Sequence, residues 1–251
     1  MDRVLAALAA QHGDLEAIVS SLDESGWAAP SRCAGWTVAD VVLHLAQTDE
    51  MAIASLEGRL AGLVAASSAP VPPAADVDEA AAAMVASEQG AAPADLLDRW
   101  RSAAQALRRE LAARQPGVRV TWVAGELSVH TLATTRLAEA WIHTGDVAAP
   151  FGREVAADDR LWHIARLAWR TLPYAFARAG RELSGPVAFR LASPGGDTWH
   201  FEPDEPPVTT ITGPAFDLCR VAGQRAGAAE TALRGDGPDA AAVLDLVRTF
   251  A

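Results

Sequence analysis

Two short segments decide how this chain folds: W-T-V-A-D-V-V-L-H at residues 36–44 and T-R-L-A-E-A-W-I-H at residues 135–143. Each is predicted to lie on an α-helix. The second segment places Glu139 and His143 four residues apart, a spacing that puts both side chains on the same face of a helix, one turn apart. The first segment ends on His44, a third side chain of a type that binds metal ions.

His44, Glu139 and His143 form a candidate metal site. Two imidazoles and a carboxylate suit zinc, and three protein ligands leave coordination positions open, as in catalytic sites. Such a centre either lowers the pKa of a bound water or holds a thiol as thiolate, and the ligand set alone does not choose. Asp40 lies four residues before His44, and Asp146 lies three residues after His143. Each carboxylate is expected to accept a hydrogen bond from the free ring N–H of its histidine.

The same residues also have simpler explanations. Glu139 and His143 can form an ordinary ion pair on one helix, and a single helical histidine such as His44 is often a packing residue. Asp40 lies three residues after Thr37, the spacing of a capping box, so it can serve the helix start instead of the histidine. Arg136 either holds Glu139 or faces solvent. The remaining histidines are predicted to be structural: His12, His130, His163 and His200.

Composition restricts the class of protein. Half of the 251 residues are hydrophobic, yet no run approaches the roughly 18 apolar residues of a membrane span. An acidic second residue argues against a secretory signal, so a cytoplasmic location is expected. The formal net charge of −11 argues against nucleic acid or an anionic membrane as partner. The sequence contains no lysine, which excludes a Schiff base and pyridoxal phosphate attachment.

The two cysteines form neither a CxxC motif nor a disulfide framework. Cys33 lies at the entrance of a predicted helix, where a thiol can be activated, but buried packing is the favoured interpretation. Cys219 lies among apolar residues and is predicted to belong to the core.

Hydrophobic periodicity predicts a mainly α-helical protein with an α+β C-terminal part. Four N-terminal helices and a Pro-rich crossing predict a four-helix bundle over residues 1–150, an architecture that commonly builds metal sites between facing helices. The predicted helices cover about 2–21, 38–64, 77–114 with a break near 90–93, and 128–148. The crossing covers 67–73, and 118–125 is a short irregular or extended piece.

After Pro150 the pattern changes, and residues 151–251 are predicted to form a small α+β domain. The predicted elements are a helix at about 158–179, strands at 187–191, 198–201 and 208–212, and helices at about 214–224 and 238–250. The first two strands are joined by P-G-G-D, which predicts a hairpin.

The two opening segments, extended to residues 33–44 and 136–146, resemble the mycothiol-dependent maleylpyruvate isomerase family. These are DinB-like four-helix metalloproteins. The resemblance implies that His44, Glu139 and His143 are the metal ligands. It also implies that a low-molecular-weight thiol, mycothiol, is the cofactor or co-substrate.

The resemblance continues into the C-terminal part. I-T-G-P-A-F-D-L-C-R-V-A-G-Q-R at residues 211–225 is similar to the family's sterol-carrier-like domain, in which an arginine is implicated in catalysis. Arg225 is the matching residue, and the simpler reading is a structural arginine at a helix end. Many members have Gly-Arg where this chain has Gln224-Arg225. That pair and the segment 122–128 are closer to an uncharacterised branch described only as metal-binding.

Three functions follow as hypotheses. The first is a mycothiol-dependent cis–trans isomerase or S-transferase, in which Arg225 binds an anionic electrophile. The second is a zinc hydrolase with Glu126 or Asp49 as general base. The third is a non-catalytic module that binds metal or a small ligand. The electrophile, the physiological metal and the oligomeric state are left open.

Overall fold

A computed structural model describes residues 1–62, 77–123 and 125–249. The chain divides into two compact units, residues 1–155 and 156–251, whereas the sequence placed the boundary after Pro150. The first unit is helical with one short hairpin, and the second combines helices with a mixed sheet. The predicted fold class, a four-helix bundle followed by an α+β part, is confirmed.

The first unit is a bundle of four long helices. Its elements are α1 (Asp2–Val19), α2 (Glu24–Trp27), α3 (Val38–Leu56), α4 (Val77–Glu88), α5 (Pro93–Ala112), β1 (Arg119–Trp122), β2 (Gly125–Ser128) and α6 (Val129–Ala148), followed by a 3₁₀ turn at Ala149–Phe151. Helix α3 packs against α5 and α6, and α1 packs against the same two helices from the other side. The bundle core therefore lies between the four helices α1, α3, α5 and α6, with α3 and α6 side by side.

The boundaries of α3 follow from local chemistry. Thr37 accepts a hydrogen bond from the Asp40 backbone N–H, and the Asp40 carboxylate accepts one from Thr37, which is the predicted capping box. The helix ends at Leu56 rather than near residue 64, because Gly58 has φ of 72° and turns the chain away. The predicted crossing at residues 67–73 lies outside the described residues. The extended piece after α5 is a two-stranded antiparallel hairpin, β1 with β2.

The described part of the second unit combines four helices with four strands. Its elements are α7 (Leu161–Arg170), α8 (Leu172–Arg178), β3 (Val187–Ala192), β4 (Thr198–Phe201), β5 (Thr209–Pro214), α9 (Ala215–Ala222), a 3₁₀ turn at Ala228–Glu230, β6 (Arg234–Asp236) and α10 (Ala240–Leu246). The strands form one sheet in the order β4-β3-β5-β6. Strand β3 pairs antiparallel with β4, as the predicted hairpin requires, and parallel with β5, which pairs antiparallel with β6.

Two details of this unit differ from the prediction. The single helix expected at 158–179 is two helices, because Pro173 has no N–H to continue the hydrogen-bond ladder of α7. Strand β6 was not predicted, since its residues R-G-D have low β-propensity and it pairs through its backbone alone. Among the described residues, no helix combines the length and the apolar character needed to cross a membrane.

Candidate metal centre

Helices α3 and α6 bring the three candidate ligands together. The capping box fixes the start of α3, so that His44 lies in its second turn. Ser128 caps α6 by accepting a hydrogen bond from the Thr131 N–H. Glu139 and His143 then follow one turn apart on the middle of α6. All three candidate side chains are buried, at 5–8% exposure.

The donor atoms converge on a single carboxylate oxygen. His44 Nε2 lies 3.3 Å from Glu139 Oε2, and His143 Nε2 lies 3.6 Å from the same oxygen. The two imidazole rings are 5.0 Å apart between centroids and nearly perpendicular. One atom from each of these three residues lies within 4.8 Å of the other two. Zinc–ligand bonds of about 2.0–2.2 Å place tetrahedral ligands roughly 3.3–3.6 Å apart, so the donor set suits one small divalent cation.

The two imidazoles are supported unequally. His143 Nδ1 lies 2.9 Å from Asp146 Oδ2, as the spacing predicted. Asp40 does not support His44: its carboxylate accepts hydrogen bonds from Thr37 and from the Gln89 side chain. His44 Nδ1 is buried, and none of the residues that the structure describes makes a hydrogen bond with it. The prediction of a carboxylate behind each histidine is therefore wrong for His44, because Asp40 is committed to the helix cap.

The cluster combines a carboxylate that stays ionised with a histidine that readily takes up a proton. Burial alone would raise the pKa of Glu139, but the hydrogen bonds from His143 and His44 outweigh it and hold that pKa well below its ordinary value. Burial opposes protonation of His143, yet hydrogen bonds with Asp146, Cys33 and Glu139 raise its pKa well above the usual range. Burial lowers the pKa of His44. A carboxylate that stays ionised between two imidazoles is the environment that a cation would neutralise.

A buried ion pair lies next to the cluster. Arg136 is 3% exposed, its Nε donates to Asp49 Oδ1 at 3.1 Å, and its Nη2 donates to Thr48 Oγ1 at 2.8 Å. Its Nη1 approaches Glu139 Oε2 at 4.0 Å. Arg136 thus faces the bundle interior, and its main carboxylate partner is Asp49 rather than Glu139. Burial raises the pKa of Asp49 to about 6, against the opposing effect of Arg136.

The two carboxylates considered as hydrolase bases are not prepared for that role. Asp49 is engaged by Arg136, and Glu126 is an exposed residue of strand β2. Sequence reasoning had instead overlooked Trp36, whose ring lies 5.2 Å from that of His44 between centroids. Its position eight residues before His44, outside α3, gave no helical spacing from which the contact could be predicted.

Cys33 packs against the apolar core of the bundle, as one of its predicted roles requires, and it also lies beside the cluster. Its Sγ is 3.1 Å from Asp146 Oδ2 and 3.7 Å from His143 Nδ1, and the residue is partly exposed. Cys219 is buried, as predicted, and burial raises the pKa of its thiol. The two cysteines therefore have different surroundings, and Cys33 alone adjoins the candidate ligands.

Arg225 belongs to the second unit, and its role stays a prediction from the resemblance. It follows α9, where its backbone N–H donates to the Arg220 carbonyl and the Gln224 N–H donates to the Val221 carbonyl. This is a Schellman motif with Gln224 in the left-handed position, at φ of 61°. The Arg225 guanidinium donates to the Gly223 carbonyl at 3.0 Å.

The chain is similar in sequence and in fold to known proteins. Residues 8–148 match the family model of the mycothiol maleylpyruvate isomerase N-terminal domain, which is more than half of the chain. Uncharacterized proteins from two strains of Mycobacterium tuberculosis, CDC 1551 / Oshkosh and ATCC 25618 / H37Rv, are 35% identical over 250 residues. That match covers 98% of this chain and 95% of each relative.

Two solved structures share the fold. The crystal structure of the mycothiol-dependent maleylpyruvate isomerase superposes with a TM-score of 0.63 at 16% identity, covering 95% of both chains. The structure of a mutant of that isomerase gives a TM-score of 0.62 with the same identity and coverage. At this identity the likeness is one of architecture, and it spans both units.

Proposed function

Since this chain belongs to the mycothiol maleylpyruvate isomerase family, we propose that it is a metal-dependent enzyme that uses the low-molecular-weight thiol mycothiol. The observation that carries this proposal is the convergence of His44, Glu139 and His143 on one buried point between α3 and α6. The reaction is either the cis–trans isomerisation of a maleylpyruvate-like substrate or the transfer of the thiol to an electrophile.

The residues present fit a divalent cation. Two neutral imidazoles and one carboxylate give a site of net charge +1 with Zn²⁺, and three protein ligands leave a position open for a sulfur ligand. When bound, the cation lowers the pKa of a coordinating thiol, so that the thiol is present as thiolate. Asp146 accepts the Nδ1 proton of His143 and thereby directs Nε2 toward the site.

A sulfur nucleophile at this point determines the class of substrate. The sulfur adds to the electrophilic carbon of a conjugated double bond. That double bond thereby becomes a single bond, about which the substrate rotates. Loss of the carbon–sulfur bond then restores the double bond in the trans form and returns the thiol. If the carbon–sulfur bond is retained, the product is a thioether and the reaction is a transfer. Both versions need an electrophile, and neither needs a hydrolytic general base.

We assign residues 1–150 to metal and thiol binding and residues 151–251, the sterol-carrier-like part, to the substrate. Arg225 is the residue proposed to orient an anionic substrate there. A guanidinium binds a carboxylate through two parallel hydrogen bonds, which orients it as well as neutralising it. Both assignments rest on the family resemblance.

The test is an absorbance assay of the zinc-loaded protein with maleylpyruvate and mycothiol. We expect a change that requires the thiol and that falls at least about 100-fold in His44→Ala, since a metal ligand is lost. Thiol that is regenerated indicates isomerisation, and thiol that is consumed one-for-one indicates transfer. His200→Ala, a substitution at an exposed histidine of strand β4, is the matched control and should leave the rate unchanged.

Two outcomes would contradict the proposal. Turnover that proceeds equally well without any thiol would remove the role of mycothiol. A His44→Ala protein with unchanged zinc content and unchanged activity would show that the three buried donors are not the metal centre.

A further inference from the structure

A second group of metal-ligating atoms lies on the far side of His143. Cys33 Sγ, Asp146 Oδ2 and His143 Nδ1 lie within 4.8 Å of one another. The three separations are 3.1 Å from sulfur to carboxylate, 3.7 Å from sulfur to imidazole and 2.9 Å from imidazole to carboxylate. His143 therefore points one ring nitrogen at each of two donor groups.

The backbone holds Cys33 in this position. The Arg32 N–H donates to the Asp146 carbonyl at 3.1 Å, which ties the loop before α3 to the last turns of α6. The loop is closed by the Ser31 N–H, which donates to the Trp36 carbonyl at 2.8 Å. The thiol thus lies beside Asp146 because both neighbouring backbone segments are fixed.

The donor separations match a tetrahedral site. Zinc bonds of about 2.3 Å to sulfur and about 2.0–2.2 Å to nitrogen or oxygen place these ligands roughly 3.3–3.6 Å apart. The observed separations of 2.9–3.7 Å require shifts of a few tenths of an ångström. Asp146 is fully buried and Cys33 is partly exposed, so the group combines a shielded carboxylate with a residue that reaches the surface of the described structure.

We propose that Cys33, Asp146 and His143 Nδ1 form a second cation site, selective for thiophilic divalent ions such as Zn²⁺ or Cd²⁺. When the His44 centre is filled, binding breaks the S–H bond of Cys33 and the Nδ1–H bond of His143, and both protons pass to solvent while metal–sulfur and metal–nitrogen bonds form. When that centre is empty, the Nδ1 proton moves to Nε2 and only the thiol proton is released. The site shares His143 with the proposed metal centre through the other ring nitrogen, but it does not require that centre to be filled.

The charge of a doubly loaded cluster supports this arrangement. Two divalent cations supply four positive charges. The carboxylates of Glu139 and Asp146, the thiolate of Cys33 and a bridging imidazolate of His143 supply four negative charges. A neutral pair of sites suits a buried position, because isolated buried charge is costly. The thiolate makes the second site the softer of the two, so it should prefer Cd²⁺ more strongly than the His44 site does.

The test is the number of Co²⁺ or Cd²⁺ ions bound by the full-length protein and three variants. We expect two ions for the unmodified protein, one for Cys33→Ser, one for His44→Ala and none for the double variant. The thiolate-to-cobalt charge-transfer band should be present in the unmodified protein and in His44→Ala, and absent in Cys33→Ser. Loss of the band in Cys33→Ser together with its retention in His44→Ala supports the second site even if the thiol-dependent reaction is not observed.

The matched control is Cys219→Ser, which changes the buried cysteine of the second unit and should alter neither the ion count nor the band. Far-ultraviolet circular dichroism of each variant establishes that it is folded, and Cys33→Ala replaces Cys33→Ser if the latter is not. Calorimetry in buffers of different ionisation enthalpy should show release of both protons with the second ion. A single bound ion in the unmodified protein, or a cobalt spectrum unaffected by Cys33→Ser, overturns the proposal.

Discussion

Among single residues, His12 is a buried histidine that its neighbours keep neutral. Arg108 Nη1 donates to its Nδ1 at 2.5 Å, and Trp100 packs edge-on against its ring. Burial, then the positive charges of Arg108 and Arg136, lower its pKa to about 3. Between pH 6.5 and 3 the unfolded chain therefore binds a proton that the folded chain does not. The contribution of His12 to stability is complete above pH 6.5 and is lost as the pH falls.

Replacing His12 tests this prediction. His12→Asn removes the titration, so the stability difference between the unmodified protein and the variant should shrink by up to about 1.4 kcal/mol per pH unit below pH 6.5. Urea unfolding at several pH values measures it. Asp49, whose pKa is raised to about 6, acts in the opposite sense but is common to both proteins. A constant stability difference between the unmodified protein and His12→Asn across this pH range would contradict the assignment.

Gln224 occupies a backbone position that favours glycine. It is the one non-glycine residue with positive φ among residues 1–62, 77–123 and 125–249, and it closes the Schellman motif after α9. Gln224→Gly should stabilise the protein by about 0.5–1 kcal/mol, because a left-handed conformation is costly for a residue with a Cβ. Gln224→Ala keeps the strain and should not stabilise. Equal stability of the Gly and Ala variants in urea unfolding would contradict this account.

The candidate site was predictable from sequence where its residues share one helix. The spacing of Glu139 and His143 is a property of α6 alone, and that spacing also placed Asp146 correctly behind His143. Contacts between separate segments did not follow from helical spacing, and His44 was grouped with Glu139 and His143 by its chemical type and by the family resemblance. Arg136 meets Asp49 across 87 positions of sequence, and Cys33 meets Asp146 across 113. Such pairs are set by how the helices pack, which periodicity does not specify.

At the scale of elements, the starts of the N-terminal helices were predicted well. Helix α3 begins directly after its predicted cap, Thr37, and α6 begins within a residue of its predicted start at 128. Helix ends were overestimated where a breaker lies inside an apolar run. Gly58 ends α3 early, and Pro173 separates α7 from α8, although both regions keep helical periodicity. Strand β6 depends on its partner β5 and carries no pattern of its own.

The start of α3 offers a direct test of how capping supports the site. Thr37→Ala removes both contacts of the Thr37 hydroxyl with Asp40 and should cost about 1 kcal/mol of stability, although the Thr37 N–H still donates to the Asp40 carboxylate. Thr37→Ser keeps the hydroxyl and should restore most of it. Because His44 lies in the second turn of the same helix, zinc affinity should fall in Thr37→Ala as the first turn frays. Unchanged unfolding free energy for Thr37→Ala would show that packing alone fixes this helix start.

For the whole molecule, the decisive feature is that the proposed ligands come from two helices of one unit. A cation held by His44 on α3 and by Glu139 and His143 on α6 links segments 95 or more residues apart, and it binds the folded bundle alone. Binding to the folded state stabilises it by RT ln(1 + [metal]/Kd), which is about 2.7 kcal/mol at a free concentration of 100 times Kd. Metal should therefore raise the melting temperature of the first unit.

Differential scanning calorimetry of the chelated and zinc-loaded protein measures this effect. Zinc should shift the transition of residues 1–155 upward by several degrees. In His44→Ala the shift should become smaller without vanishing, because Glu139 and His143 no longer link α6 to α3 while the second site still holds one ion. His200→Ala should keep the full shift, which separates loss of a ligand from loss of any histidine. A zinc shift that survives in His44→Ala but vanishes in Cys33→Ser would mean that the second site, rather than the first, carries the stabilising cation.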